Sequence, residues 1–141
     1  MDIRVLSPNY AVSPQIALSD LPKIATAGYT TVICNRPDAE VDATDSSDEM
    51  RKAAQAAGLD LVYLPVTHQS LNAEAIDAQK AVMDAATGPV LAYCASGTRS
   101  AIVWSFSQVG QMTADDIIQA TGRAGYSLEG LYPQLIDISG Q

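Results

Sequence analysis

Residues 89–100 read PVLAYCASGTRS, and this stretch decides both the fold and the chemistry that we predict. Its apolar, β-prone first half predicts a buried strand that ends at Cys94. A short polar loop containing Gly97 follows, and Arg99 stands where the next helix begins. A cysteine at such a junction lies beside the unpaired N–H groups and the positive end of the helix, and both favour thiolate over thiol. The stretch therefore predicts a nucleophilic sulfur between a strand and a helix.

The loop after Cys94 is also suited to binding an anion. Gly97 can adopt backbone angles that other residues avoid, so successive amides can point inward as an anion-binding nest. The residues assigned to this nest are Ala95, Ser96, Gly97, Thr98 and Ser100. Arg99 adds a planar, positively charged group that can hold an anion over the sulfur. Cys94 and Arg99 are therefore the predicted catalytic residues.

Strands and helices alternate along the rest of the chain. Short strands are predicted over residues 3–6, 10–12, 29–34, 59–66 and 89–93. Helices are predicted over residues 19–27, 46–58, 72–88, 100–109 and 113–122, with a last helix that starts at Ser127 and is shortened or bent by Pro133. Strands separated by helices imply right-handed crossovers and a parallel sheet covered on both faces. We therefore expect an α/β fold, in which a central, mostly parallel sheet is flanked by helices and the first two strands form a hairpin or an edge.

Length and composition limit the classes of protein and partner. A chain of 141 residues with 48% hydrophobic content predicts a single domain over residues 1–141. The net charge of −8 disfavours nucleic acid and anionic membranes as partners, so an anionic substrate must be captured locally. No stretch is apolar over the length that spans a bilayer, and two cysteines form no disulfide framework. We therefore expect a cytoplasmic protein that binds neither nucleic acid nor membrane.

Side chains that follow the predicted strands should meet at one end of the sheet. In a parallel sheet, ligands bind beyond the carboxyl ends of the strands. Arg36 follows one predicted strand, His68 follows another, and Cys94 ends a third. Arg36 and His68 are therefore candidate substrate-binding residues, although Arg36 could instead pair with Asp38 or Glu40 at the surface.

The single histidine and the second cysteine leave several roles open. His68 could be a solvated loop residue, a proton donor or, with both cysteines, a metal ligand. No close-spaced pair of ligands supports a metal site, so we expect no metal and no cofactor. Cys34 ends a buried strand, where a small apolar core residue is the simplest interpretation and a resolving thiol is the alternative.

Five segments carry a family resemblance: residues 27–29, 32–40, 63–66, 93–100 and 124–126. They resemble the cysteine-dependent phosphatase and rhodanese superfamilies, and in particular the beta-lactamase hydrolase-like, or Blh, family of phosphatase-like domains. Residues 36–38 and 94–100 are the most specific of these. The resemblance implies a phosphatase-like or rhodanese-like three-layer sandwich in which both of those segments face the active site. Such domains also occur fused to a persulfide dioxygenase, which is therefore a candidate partner.

The loop between Cys94 and Arg99 distinguishes two chemistries. It has four residues where the protein tyrosine phosphatase signature has five, and the tighter loop resembles that of many rhodanese-type sulfurtransferases. Tyr93 stands where the phosphatase signature has histidine, and residues 65–68 contain no aspartate where dual-specificity phosphatases carry their general acid. Phosphoester cleavage usually needs a proton for the leaving oxygen, whereas thiosulfate or a persulfide has a good leaving group.

We therefore predict a rhodanese-like sulfurtransferase. Cys94 would take sulfane sulfur from a small anionic donor of the thiosulfate or persulfide type, hold it as a persulfide within the loop, and pass it to a thiol acceptor. Two alternatives stay open. The first is a cysteine-dependent phosphatase that acts on a phosphorylated substrate through a phosphocysteine. The second is a non-catalytic redox or persulfide-binding module.

Overall fold

One five-stranded sheet organises the computed structural model, which describes residues 1–139. The strands are β1 (Arg4–Ser7), β2 (Tyr10–Ser13), β3 (Thr31–Cys34), β4 (Asp60–Tyr63) and β5 (Val90–Tyr93). The α-helices of the described residues are α1 (Leu21–Thr26), α2 (Ser47–Ala56), α3 (Ala73–Ala85), α4 (Thr98–Ser107), α5 (Ala114–Arg123) and α6 (Tyr132–Ser139). Residues 140 and 141 of the expected domain lie outside the described residues.

The sheet has the strand order β1-β2-β5-β3-β4. β1 and β2 form an antiparallel hairpin, and every other neighbouring pair of strands is parallel. β5 lies in the middle, where Leu91 pairs with Ala11 on one side and with Val32 on the other. All four residues of β5 are buried. The mostly parallel sheet and the leading hairpin expected from the sequence are confirmed.

Two apolar clusters cover the two faces of the sheet. One face packs against α1 and α2 through Leu21, Ile24 and Met50, all of them fully buried. The other face packs against α3 to α6, where Trp104 stacks on Tyr10 with ring centroids 6.2 Å apart. Helices therefore lie on both sides of the sheet, which confirms the expected three-layer sandwich.

No helix within residues 1–139 combines the length and the apolar character that crossing a bilayer requires. The single-domain boundaries, the cytoplasmic location and the lack of nucleic-acid and membrane partners stay predictions.

Several elements begin or end away from their predicted positions. Helix α4 begins at Thr98 rather than residue 100, and α6 begins at Tyr132 rather than residue 127. Pro133 stands in the first turn of α6, where its missing N–H interrupts no helical hydrogen bond. Strand β4 ends at Tyr63 rather than residue 66, because its partner β3 ends at Cys34, which pairs with Tyr63.

Four buried polar side chains form a closed ring of hydrogen bonds between the sheet and helices α3 and α4. Ser100 Oγ donates to Asn35 Oδ1 (2.8 Å), and Asn35 Nδ2 donates to Gln79 Oε1 (2.7 Å). Gln79 Nε2 donates to the Tyr10 hydroxyl (2.9 Å), which donates to the carbonyl oxygen of Ser100 (3.1 Å). Asn35 Nδ2 also donates to the carbonyl oxygen of Leu64 (2.9 Å). The ring therefore fixes the first turn of α4 relative to the sheet.

Replacing Asn35 by alanine should destabilise the fold strongly, because Gln79 and Ser100 would stay buried without their partner. We expect the free energy of unfolding to fall by about 2–4 kcal/mol. As a control, Asn72→Ala removes the exposed N-cap of α3 and should cost about 1 kcal/mol. Urea unfolding followed by the fluorescence of Trp104, the only tryptophan, measures both variants. Equal losses in the two variants would contradict the importance of the ring.

Candidate active site

Cys94 lies directly after the central strand β5 and is 0% exposed. Its Sγ accepts a hydrogen bond from the backbone N–H of Gly97 at 3.0 Å. The backbone N–H of Cys94 donates to the carbonyl oxygen of Ser13, at the end of β2, at 3.4 Å. The sulfur is therefore fixed at the base of the loop that leads into α4.

Gly97 allows the loop to turn back over the sulfur. Its φ of +93° lies in the left-handed region that favours glycine. A Cβ atom at this position would also collide with the hydroxyl of Tyr126. Gly97 is the N-cap of α4 and provides no side-chain bond to the N–H groups of the first helical turn.

The hydroxyl groups of the predicted nest form hydrogen bonds with other residues of the protein. The hydroxyl of Ser100 donates to Asn35, and the hydroxyl of Ser96 donates to that of Thr98 at 2.9 Å. Ser96 Oγ also accepts from the backbone N–H of Thr98 at 3.3 Å, and Ala95 has no polar side chain. Anion binding by this loop, which stays a prediction, would therefore depend mainly on its backbone amides.

Arg99 extends from α4 to a carboxylate that the sequence does not identify as part of the site. Its Nη1 and Nη2 donate to the two carboxylate oxygens of Glu40 at 2.9 and 2.7 Å, and Nη1 also donates to the carbonyl oxygen of Val66 at 2.8 Å. These hydrogen bonds lower the pKa of Glu40 and raise that of Arg99. The sequence suggests Glu40 only as a surface partner of Arg36, and its place four residues after that arginine is the signal that could have found it.

Arg36 lies in the same cluster of charges. Its Nε is 3.5 Å from a carboxylate oxygen of Glu40, and its Nη2 donates to the Glu40 carbonyl oxygen at 3.2 Å. Its Nη1 donates to Gln15 Oε1 at 3.2 Å. Arg36 and Arg99 thus share one carboxylate, so two positive charges and one negative charge leave one positive charge here. Arg36 pairs with Glu40, as the sequence suggested, and it also lies near Arg99.

His68 lies in an exposed turn next to this cluster. The turn is closed by Ser70 and Thr67, whose backbone N–H groups each donate to the hydroxyl of the other residue, at 3.0 and 2.9 Å. Val66, which accepts from Arg99, is two residues before His68. Within residues 1–139 the imidazole makes no hydrogen bond or ion pair with the protein. The structure therefore places His68 near the cluster and leaves its side chain free in solvent.

Cys34 packs into the core between the sheet and helices α1 and α2. Its thiol donates to the carbonyl oxygen of Arg36 at 3.3 Å, and burial raises the pKa of this thiol. In the strand pairing Cys34 stands opposite Tyr93 rather than Cys94. These contacts favour the core interpretation of Cys34. Among the described residues, no three His, Cys, Asp or Glu side chains are grouped where they could hold a metal ion.

Asp38, the other carboxylate in residues 32–40, supports the start of α2. Its Oδ1 accepts from the backbone N–H of Ser47 at 2.7 Å, and its Oδ2 accepts from the Ser47 hydroxyl at 2.8 Å. Its own backbone N–H donates to the hydroxyl of Tyr63 at 2.9 Å. Asp38 and Glu40 are therefore both engaged with partners, and neither carboxylate is free to donate a proton to a substrate.

The comparison with known families decides between the possible relatives of this site. The model of the beta-lactamase hydrolase-like protein, phosphatase-like domain, matches residues 2–125. The chain belongs to this family. Cys94 and Arg99 both lie within the matched residues.

Curated relatives carry the same family name but are longer. The beta-lactamase hydrolase-like protein of Xylella fastidiosa (strain Temecula1 / ATCC 700964) is 32% identical over 131 residues, which cover 91% of this chain and 30% of the relative. That of Agrobacterium fabrum (strain C58 / ATCC 33970) is 27% identical over 125 residues, or 87% of this chain and 29% of the relative. The chain thus spans about 30% of the length of these relatives.

Solved structures also resemble this phosphatase-like domain. A putative phosphatase from Neisseria meningitidis Z2491 is 32% identical, with a TM-score of 0.85 over 97% of this chain and 98% of the other. A putative phosphatase from Shewanella putrefaciens CN-32 is 22% identical, with a TM-score of 0.78 over 99% and 94%. The kinase associated phosphatase, with its catalytic site cysteine replaced by serine, is 12% identical, with a TM-score of 0.65 over 99% and 94%. The last two likenesses show the fold alone.

These findings favour one of the alternatives that the sequence left open. The matched family is described as a phosphatase-like domain, and the 32% identical structure is described as a putative phosphatase. The phosphatase alternative is therefore better supported than the sulfur transfer that we predicted from the sequence.

Replacing Glu40 by glutamine should weaken the site by releasing Arg99 from its fixed orientation. We expect kcat/KM for an anionic substrate to fall about tenfold or more, because small displacements of a positioning group are costly. Glu49→Gln is the matched control, since Glu49 pairs with Lys52 at the surface of α2 and should leave kcat/KM unchanged. A similar loss in both variants would show that the Arg99–Glu40 pair has no special role.

Lowering the pH should reduce kcat/KM of the parent protein, as Glu40→Gln does, because protonation of Glu40 also breaks its ion pair with Arg99. Arg99 lowers the pKa of Glu40, so the pair persists through the ordinary range of carboxyl titration and is lost only as the pH falls through that lowered pKa. The pH profile of kcat/KM should therefore show an acid step that is absent from Glu40→Gln. An identical acid limb in the two proteins would contradict this assignment.

Proposed function

We propose that this domain is a cysteine-dependent phosphatase that acts through a phosphocysteine on Cys94. One observation supports this proposal. The buried sulfur of Cys94 accepts a hydrogen bond from the Gly97 amide, and Arg99, at the start of the helix that follows, has its guanidinium fixed by Glu40. The local positive charge attracts an anionic group to an otherwise acidic protein. Membership of a phosphatase-like family is consistent with this use of the site.

The proposed reaction has two steps. The Cys94 thiolate attacks the phosphorus of a phosphate monoester, the S–P bond forms, and the P–O bond breaks as the leaving oxygen takes the electron pair and then a proton. Water then attacks the phosphorus, the S–P bond breaks, and inorganic phosphate leaves while the thiolate is restored. Arg99 and the loop amides would stabilise the charge on the phosphoryl oxygens in both steps.

The proton for the leaving oxygen is the demanding part of this mechanism. Asp38 and Glu40 are engaged with Ser47 and Arg99, so neither is available as a general acid. His68 is the single histidine of the chain, and imidazole is the side chain that most often donates protons in catalysis. We therefore propose His68 as the proton donor and esters with good leaving groups, such as aryl phosphates, as the preferred substrates.

Sulfur transfer is the second candidate, and a specific observation favours it. The loop from Cys94 to Arg99 holds only four residues, none of them acidic, and the carboxylates of Asp38 and Glu40 are engaged with Ser47 and Arg99. The thiolate would attack the outer sulfur of thiosulfate, the S–S bond would break and sulfite would leave, and the persulfide would pass its outer sulfur to a thiolate acceptor. None of these steps needs a protein acid. A persulfide dioxygenase as partner belongs with this candidate.

Parallel assays with an aryl phosphate and with thiosulfate separate the candidates. We expect the parent to release phosphate, Cys94→Ser to be inactive because it lacks the nucleophile, and Cys34→Ser to match the parent as a control. Intact-mass measurement after rapid quenching should find the phosphoryl adduct on Cys94. Thiosulfate turnover with one added sulfur on Cys94 and no phosphate release would instead establish sulfur transfer. Rapid alkylation of Cys94 without turnover on either substrate would indicate a non-catalytic module.

His68→Ala tests the proposed proton donor. General acid catalysis is typically worth about a hundred- to ten-thousand-fold, so phosphate esters with poor leaving groups should lose activity on that scale. Esters with activated leaving groups should lose little, because their leaving oxygen needs no proton. Steady-state rates on both ester types measure the difference, with circular dichroism confirming that the variant is folded. A uniform effect on both ester types would remove His68 from the mechanism.

A further inference from the structure

Tyr126 contacts the Cys94 loop from a position three residues after α5. Its hydroxyl donates to the carbonyl oxygen of Ser96 at 3.0 Å. The residue is 6% exposed, and it fills the space in which Gly97 would carry a side chain. Burial raises the pKa of the Tyr126 hydroxyl, so this group remains protonated and able to donate at neutral pH.

The bond from Tyr126 reaches the sulfur of Cys94 through a single peptide unit. Ser96 and Gly97 share that unit, and in a trans peptide the carbonyl and the N–H point in opposite directions. The carbonyl end accepts from Tyr126, and the N–H end donates to Cys94 Sγ at 3.0 Å. A rotation of this peptide that broke one bond would break the other. Successive hydrogen bonds in a buried site also polarise one another, which makes the N–H a better donor.

Arg4 holds the ring of Tyr126 from the other side. Its guanidinium carbon lies 5.0 Å from the ring centroid, and its Nη1 donates to the carbonyl oxygen of Ala124 at 3.3 Å. Asp2 pairs with the same guanidinium at 2.9 Å. The first strand of the chain therefore supports the tyrosine that contacts the loop.

We propose that Tyr126 is a positioning residue for the nucleophile, which keeps the Ser96–Gly97 peptide oriented with its N–H on the sulfur of Cys94 and so stabilises the thiolate. The proposal rests on the proposed function only in that Cys94 is the nucleophile, whichever group it transfers. Tyr126 acts through the backbone and does not itself bond to the sulfur.

The test replaces Tyr126 by phenylalanine, which keeps the ring and removes the donor. The Cys34→Ser background leaves Cys94 as the only thiol, which iodoacetamide alkylates and intact mass quantifies across a range of pH. The pH midpoint of this reaction reports the thiolate, because it does not depend on how often the buried sulfur becomes accessible to the reagent. We expect the alkylation rate at neutral pH to fall about three- to tenfold, as the loss of one hydrogen bond predicts, and its pH midpoint to rise. Tyr29→Phe is the control, because this half-buried tyrosine lies away from the loop, and its profile should match the parent.

Other ionisable groups near the sulfur also affect the pH dependence of Cys94 alkylation. Ionisable side chains that interact with Cys94 include Tyr10, Cys34 and Arg99, besides Tyr126 itself. The Cys34→Ser background removes one of them, and the other two are unchanged in all variants. Arg4→Gln, which loosens the ring but keeps the hydroxyl, should give a smaller shift in the same direction.

An alkylation profile of Tyr126→Phe that equals the parent's, in a protein with an unchanged urea midpoint, would overturn the proposal. So would an equal change in Tyr29→Phe. Because alkylation needs no turnover, the result is independent of the reaction catalysed. A parent that releases no phosphate but shows the expected difference between the variants would contradict the proposed phosphatase and still support the role of Tyr126.

Discussion

The site depends on one buried ring of hydrogen bonds, formed by Tyr10, Asn35, Gln79 and Ser100. Ser100 directly follows Arg99, so the bonds to its hydroxyl and carbonyl set the direction in which the arginine leaves α4. Asn35 directly precedes Arg36 and fixes the other arginine in the same way. Each member is at most 1% exposed, so water cannot replace a lost partner. The ring thus connects the packing of the sheet against helices α3 and α4 to the placement of two charges.

The positive charge of the site comes from two arginines that lie close together in an acidic protein. The protein carries twice as many acidic as basic residues, with 16 against 8, yet Arg36 and Arg99 meet around the single carboxylate of Glu40. A carboxylate between two guanidiniums reduces their repulsion and fixes their geometry, at the cost of one unit of positive charge. What remains is a small electropositive spot at the end of β5. Such a spot attracts a compact anion without making the whole surface attractive to polyanions.

Local sequence patterns predicted most of the fold, because its signals are local. The β-branched run before Cys34 forms β3, and the helices predicted to start near residues 46, 72 and 113 have Ser46, Asn72 and Thr113 as their N-caps. The pairing of Glu40 with Arg99 joins residues 59 positions apart, and no periodicity reports such a contact. The contact of Tyr126 with the Cys94 loop is equally non-local. Gly97, 29 positions earlier, has no side chain and so leaves space for the tyrosine. The predicted starts of α4 and α6 differ from the observed ones. The positive φ of Gly97 sets the start of α4, and Pro133 lies in the first turn of α6.

The short strand β4 also affects how copies of this domain behave when crowded together. It forms one edge of the sheet, and an exposed edge can recruit strands from other molecules and begin aggregation. Here the edge is only four residues long, starts at the exposed, charged Asp60, and is followed within two residues by Pro65. A foreign strand finds few consecutive N–H and C=O groups to pair with, and the net charge of −8 repels its approach. Pro65 thus limits the pairing of other strands along this edge of the sheet.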